Sequence, residues 1–173
     1  DSAALKKKFS NNIIYRNNLP ANSTSKLLYK IAEKTRYELL GGKMLKGIEK
    51  NLNENYSQII NRKRKDQLKT KEDVPITEAF ELYMIKNFHQ IKLNSLTNKM
   101  LSLWEKDIEK SIEKHKKFLK DNLENQNDYS CRFSQIFDEM DIFQNENDDE
   151  KNEENHDQGN DKPSNDDQNA DSE

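Results

Sequence analysis

The chain has 173 residues, 35% of them charged and 32% hydrophobic, with a mean hydropathy of −1.20. That is enough for one domain with a modest core, and no apolar run approaches the roughly 20 residues of a membrane helix. The formal charge of −3 hides a split: residues 144–173 hold 12 Asp/Glu against 2 Lys, or −10, which leaves +7 on residues 1–143.

Helical period runs through every segment with apolar content, and no alternating strand pattern interrupts it. Ala3 to Phe9 reads as a helix end. The stretch "NNLPANSTS" after it reads as a loop that ends in Ser/Thr capping candidates. Leu27, Leu28, Ile31, Ala32, Thr35 and Leu39 then mark one apolar face. Leu45, Ile48, Leu52, Tyr56, Ile59 and Ile60 mark the next. The basic run "NRKRKDQLKTKED" should be solvated. Pro75 suits the first turn of a helix that carries Ala79, Phe80, Leu82, Tyr83 and Phe88.

From about Leu96 to Leu123 a longer helix is predicted. Its stripe is Leu96, Met100, Leu103, Trp104, Ile108, Ile112, His115 and Leu119. A last helix carries Tyr129, Phe133, Ile136, Phe137 and Met140. The expected fold is all-α: an irregular bundle of five or six helices over residues 1–143. Residues 144–173 should form a disordered acidic tail, because Ala170 is their only hydrophobic residue and burial cannot offset the ordering entropy.

Three of the four glycines lie in "LLGGKMLKG", Leu39 to Gly47. A phosphate loop would need glycine at position 37 and a hydroxyl at position 44, after a strand. Tyr37, Met44 and a helical period stand there instead. Two readings remain: a break between helices, or small residues that admit a neighbouring helix. Each helical glycine costs roughly 1 kcal/mol, which favours the break.

No catalytic, cofactor-binding or metal-ligating residue is assigned. His115 sits on the Ile112/Leu119 stripe without a second histidine one turn away, as a core or boundary side chain. His89 has no paired ligand nearby in sequence, and His156 lies among the acids of the tail. The residues before Gly159 do not follow the calcium-loop pattern, and one cysteine, Cys131, permits neither an internal disulfide nor a zinc-type cluster. The sequons at Asn22 and Asn55 lack a secretion signal to go with them.

Glu105/Glu109 and Glu109/Glu113 interleave with lysines, the pattern of a solvated, salt-bridged face. Lys6-Lys7-Lys8 and Arg62-Lys63-Arg64-Lys65 could meet phosphates. No helix-turn-helix or stacking platform accompanies them.

Several segments, in order, resemble one family: CobT, a subunit of the aerobic, ATP-dependent cobaltochelatase. The family's helix reads roughly A-R-V-E-A-I-G-A-R-x-M-x-G-V-A-K-N-L. Here "TRYELLGGKMLKGIEKNL" matches at Arg36, Glu38, Gly41, Gly47, Lys50, Asn51 and Leu52. "PITEAF" resembles the family's P-L-x-E-A-L. "SLWEKDIE" resembles D-L-W-x-x-W-I-E, with Asp107 in place of the second tryptophan. Ile136-Phe137 through Met140-Asp141 resembles L-L-x-x-L-D-M, and an acidic linker follows in both.

The resemblance implies a non-catalytic, cytoplasmic subunit. It would dock to a CobS-like AAA+ ATPase and support a CobN-like catalytic subunit that inserts Co²⁺ into hydrogenobyrinic acid a,c-diamide in cobalamin synthesis. ATP, Mg²⁺ and Co²⁺ would belong to the complex, with no cofactor in this chain. The family's D-x-S-x-S metal site lies in a von Willebrand A-type domain beyond the linker. No D-x-S-x-S occurs here, so the chain, which starts at Asp1 without a methionine, is expected to be a fragment. The alternative is a stand-alone helical interaction or chaperone-like protein with an acidic tail, associated with nucleic acid.

Overall fold

The computed structural model describes residues 1–63 and 68–140. The chain is all-α, as expected, and the described residues contain no strand. The elements are α1 (Ser2–Phe9), α2 (Asn12–Asn17), α3 (Ser23–Met44), α4 (Lys46–Arg62), α5 (Ile76–Asn87), α6 (Ser95–Ser102), α7 (Glu105–Ile112), α8 (Lys116–Asp121) and α9 (Gln126–Glu139). Single 3₁₀ turns at Lys71–Asp73 and Glu113–His115 join α4 to α5 and α7 to α8. The tail expected over 144–173 lies outside the described residues, as do Arg64 and Lys65.

Asparagine, rather than serine or threonine, starts many of these helices. Asn11, Asn22, Asn94 and Asn125 precede α2, α3, α6 and α9, and each accepts a backbone N–H of the first turn through its side chain. A short side-chain amide satisfies one of the orphan donors of a helix start as well as a hydroxyl does. Helix α3 is therefore capped by Asn22, one residue ahead of the Ser/Thr candidates, and that asparagine is buried. Its sequon is a cap.

Helix α3 is the hub, packing against α1, α4, α5 and α9. Its inward face holds Leu28, Tyr29 and Ala32, and α5 supplies Ala79, Phe80, Leu82 and Tyr83. From α9 come Tyr129, Phe133, Ile136 and Phe137. Phe80 meets Phe137 edge-on at 5.5 Å, and Phe133 stacks on Phe137 at 5.5 Å between centroids. A small satellite core of Leu5, Tyr37 and Leu52 lies under α1.

Five expectations need correction. Leu27 is not on the buried face of its helix, and Leu45, the extended residue between α3 and α4, is not on the next; they are 53% and 55% exposed. The basic stretch between α4 and α5 is not wholly solvated, because Leu68 turns into the main core. Helix α2 is an element that the apolar pattern does not mark, six residues long with none of them buried. The single helix from Leu96 to Leu123 is in fact α6, α7, a 3₁₀ turn and α8.

The first of those breaks falls at Leu103-Trp104. There the Trp104 indole N–H donates to the Val74 carbonyl at 2.8 Å, and its backbone N–H donates to Leu101 rather than to residue 100. The tryptophan reaches back to the start of α5, and the chain tightens into a turn to let it.

The glycine-rich joint combines both readings. The break is real but falls at Leu45, an extended residue (φ −141, ψ 118) that ends α3 and starts α4. Gly41 and Gly42 lie inside the last turns of α3, and Gly47 inside the first turn of α4. A straight helix would hold Glu38 about 27 Å from Tyr56. In the fold the Tyr56 hydroxyl donates to Glu38 at 2.5 Å, so α4 has doubled back. Gly41 admits a neighbour: a Cβ there would lie 2.6 Å from Leu5 Cδ1 and closer still to Cδ2.

Candidate functional site

Two buried polar clusters, one around Arg36 and one around Glu38, tie α1 and neighbouring segments to α3. In the first, Arg36 is 1% exposed and Glu33 3%. The guanidinium Nε donates to Glu33 Oε2 at 2.9 Å and Nη2 to Glu33 Oε1 at 2.9 Å, a bidentate pair across one helical turn. Nη1 donates to the Leu123 carbonyl at 2.9 Å and Nη2 to the Phe9 carbonyl at 2.5 Å.

Glu33 Oε1 also accepts from Ser10 at 2.6 Å and from Gln126 at 3.1 Å. Gln126 exchanges bonds with the Asn11 backbone, accepting at 2.7 Å and donating at 3.1 Å. One buried arginine thus ties the α1–α2 turn, α3 and the α8–α9 connection together. A buried ion pair of this kind is tolerable because nearly every lone pair and proton has a partner.

In the second cluster Glu38, also buried, accepts from Ser2 at 2.6 Å through Oε1 and from Tyr56 through Oε2. His89, just past α5, sets Nε2 3.6 Å from Glu38 Oε2, beyond a hydrogen bond. Its side chain is 5% exposed and tilts against the Tyr56 ring at 4.8 Å. Burial, and then the positive charge of Lys34, pull the imidazole down to about 4, so it is neutral at pH 7. Burial and the Glu38 charge push the Tyr56 phenol far above its usual value. A cavity of about 160 Å³ opens beside this cluster, lined by Glu38, Glu49, Asn53 and His89 among others.

His115 is a half-buried boundary residue, its Nδ1 3.0 Å from Arg132. Burial and the Arg132 charge lower its pKa. His156 lies outside the described residues. Among the described residues no group of three or more His, Cys, Asp or Glu side chains could hold a metal ion. The Glu105/Glu109/Glu113 face is salt-bridged: Glu105 pairs with Lys86 at 2.6 Å and Glu113 with Lys116 at 2.5 Å. Lys63 pairs with Glu78 at 3.3 Å, while Lys6, Lys7 and Lys8 stay exposed on α1.

Five of the seven matched motif positions make internal contacts, while Gly47 meets nothing within 4 Å and Lys50 is exposed, 3.9 Å from Glu54. Arg36 and Glu38 anchor the two clusters, Gly41 makes the slot for Leu5, and the Asn51 side chain donates to Asp1 at 2.9 Å. Leu52 completes the satellite core. A family model described as cobalamin biosynthesis protein CobT matches residues 1–173. The chain belongs to the CobT family. Membership places it in cobalamin biosynthesis. No curated protein and no solved structure gives a significant match. Among the described residues no helix is long and apolar enough to cross a membrane.

In this CobT-family chain Glu38, Gly41, Asn51 and Leu52 help fit α1, α3 and α4 together, and Arg36 ties α3 to Phe9 and Leu123. Glu33 and Gln126, which complete the Arg36 cluster, were not picked out from the sequence. The signal for Glu33 was present: a carboxylate one turn before Arg36, next to Ala32 on the buried stripe. Nothing local marks Gln126 or His89, since their partners lie 93 and about 50 residues away.

Proposed function

We propose that the chain is a non-catalytic subunit of an aerobic cobaltochelatase. In this reading it docks to a CobS-like AAA+ ATPase and supports a CobN-like subunit as that subunit inserts Co²⁺ into hydrogenobyrinic acid a,c-diamide. ATP and Mg²⁺ are used by the AAA+ partner, Co²⁺ is substrate, and the complex works in the cytoplasm. The single observation that carries the reading is the CobT match across all 173 residues. The structure is compatible with it: Arg36, Glu38, Gly41, Asn51 and Leu52 are spent on internal ties, which suits a helical docking body.

Reconstitution tests the proposal. With the AAA+ and catalytic subunits, ATP, Mg²⁺ and Co²⁺, the full chain should co-purify with the AAA+ subunit. Chelation should fall when the chain is withheld. Failure to co-purify, together with salt-dependent binding of duplex DNA by the chain, would favour the nucleic-acid-associated alternative.

A further inference from the structure

Where α1 ends against the last turns of α3, a groove of about 480 Å³ is lined by Phe9, Arg36, Leu40, Lys43, Met44 and Glu124. Its floor and one wall are apolar: Leu40 is 8% exposed, and Phe9 is half-buried. Met44, in the lining, is 43% exposed, and Leu45, the next residue in the chain, is 55% exposed. Two successive bulky apolar residues are thus left exposed at the helix joint of a chain this polar. Leu45 is exposed because it is the one extended residue between α3 and α4, so its side chain has no helix face to share.

The rim of the groove is cationic. The Lys8 ammonium rests 3.2 Å from Met44 Sδ and 5.5 Å from the centroid of the Phe9 ring, on the edge of the apolar wall. Lys43 lines the groove, and Lys6, Lys7 and Lys46 are exposed on the elements that flank it. Arg36 also reaches the lining, but Glu33 already matches its charge. An anion arriving here would therefore be read by Lys8 and Lys43. Glu124, in the same lining, sets a limit on how far a negative ligand can spread towards the α8–α9 connection.

We propose that this groove docks an acidic segment of a partner protein that presents one or two bulky apolar side chains. The apolar side chain covers Phe9, Leu40 and Met44, and flanking Asp or Glu meet Lys8 and Lys43. Charge complementarity selects this occupant: a nucleic acid would satisfy the lysines but leave Met44 and Leu45 wet. As a docking surface for another subunit, the groove rests on the function proposed above.

The probe is a blocked synthetic peptide of about ten residues, with a central Leu-Phe pair between runs of Asp and Glu. It is titrated into the ¹⁵N-labelled full chain. Backbone shifts should concentrate at Phe9, Lys43, Met44 and Leu45. Replacing Leu-Phe by Ser-Ser should weaken binding by about tenfold or more, as should Lys8→Glu with Lys43→Glu. These exposed-site variants should melt like the parent, and Leu45→Ser gives an independent third variant.

Absent binding, or shifts elsewhere, would overturn the proposal. So would tighter binding of a DNA duplex at the same residues. Concentration-dependent self-association through the groove would assign it to a second copy, and loss of those shifts only when residues 144–173 are present would assign it to the chain's own acidic segment; either overturns the partner reading. Co-purification with the AAA+ subunit separates the two levels. If the charge-reversed variant co-purifies as well as the parent, the groove falls and the subunit reading stands. If the parent binds the peptide at the groove but not the AAA+ subunit, the reverse holds.

Discussion

Arg36 and Gly41 do opposite jobs one and a half turns apart. Arg36 fills its site with four hydrogen bonds, and Gly41 leaves its site empty for Leu5. Removing the guanidinium should be costly, because Glu33 would stay buried without its counter-charge. Arg36→Met is expected to lower unfolding free energy by about 3–5 kcal/mol in urea titrations. Arg36→Met with Glu33→Gln should recover part of that, since the stranded charge goes too. At the glycine the failure is steric. Gly41→Ala should destabilise by about 1–3 kcal/mol, and the penalty should shrink in a Leu5→Ala background. Gly47→Ala meets nothing within 4 Å and should instead stabilise by about 0.5–1 kcal/mol, read as a higher urea midpoint. The sequence marked Arg36 and Gly41 as family positions, but it could not say that their importance is mechanical. That follows from partners at Phe9, Leu123 and Leu5, which local periodicity does not register.

The elements show where periodic reading works and where it gives out. The cores of α3, α5 and α9 were legible, because steps of three and four put Leu28, Phe80 and Phe133 each on the apolar face of its own helix, and all three are buried. Helix ends were less so. Asparagine caps were overlooked in favour of Ser/Thr, although both act through a short acceptor side chain. The long stripe from Leu96 to Leu119 was misread as continuous because its apolar spacing survives across the turn at Trp104. That turn is maintained by a contact with the start of α5 rather than by Gly or Pro. Trp104→Phe should expose its role: it keeps the ring face that Lys71 covers at 4.9 Å but leaves the Val74 carbonyl without its indole donor. Thermal unfolding should show a loss of about 1–3 kcal/mol, with hydrogen exchange quickened first across the α6–α7 turn.

For the whole molecule, acidity should reveal His89. Its imidazole titrates near 4 in the folded chain and near 6.5 once unfolded. The unfolded state therefore takes up the proton first as pH falls. His89 thus contributes stability that is complete above about pH 6.5 and is lost as pH drops towards 4, with a slope of at most about 1.4 kcal/mol per pH unit. Urea midpoints of the parent should fall over this window more steeply than those of His89→Gln. The difference between the two isolates the imidazole from His115 and from the carboxylates. The candidate groove was less legible than the fold. Its lysines were visible as a basic count, but the apolar wall combines Phe9 and Met44, 35 positions apart, and becomes a surface only when Leu5 seats α1 in the Gly41 notch.

That notch also has a consequence for descent. A lock between positions 5 and 41 can be changed only in concert, because either half altered alone either collides or leaves a hole. Across related chains the two positions should therefore drift as a pair. Where residue 41 has gained a side chain, residue 5 should have given up an equal volume, and Leu should persist at 5 only in lineages that keep glycine at 41.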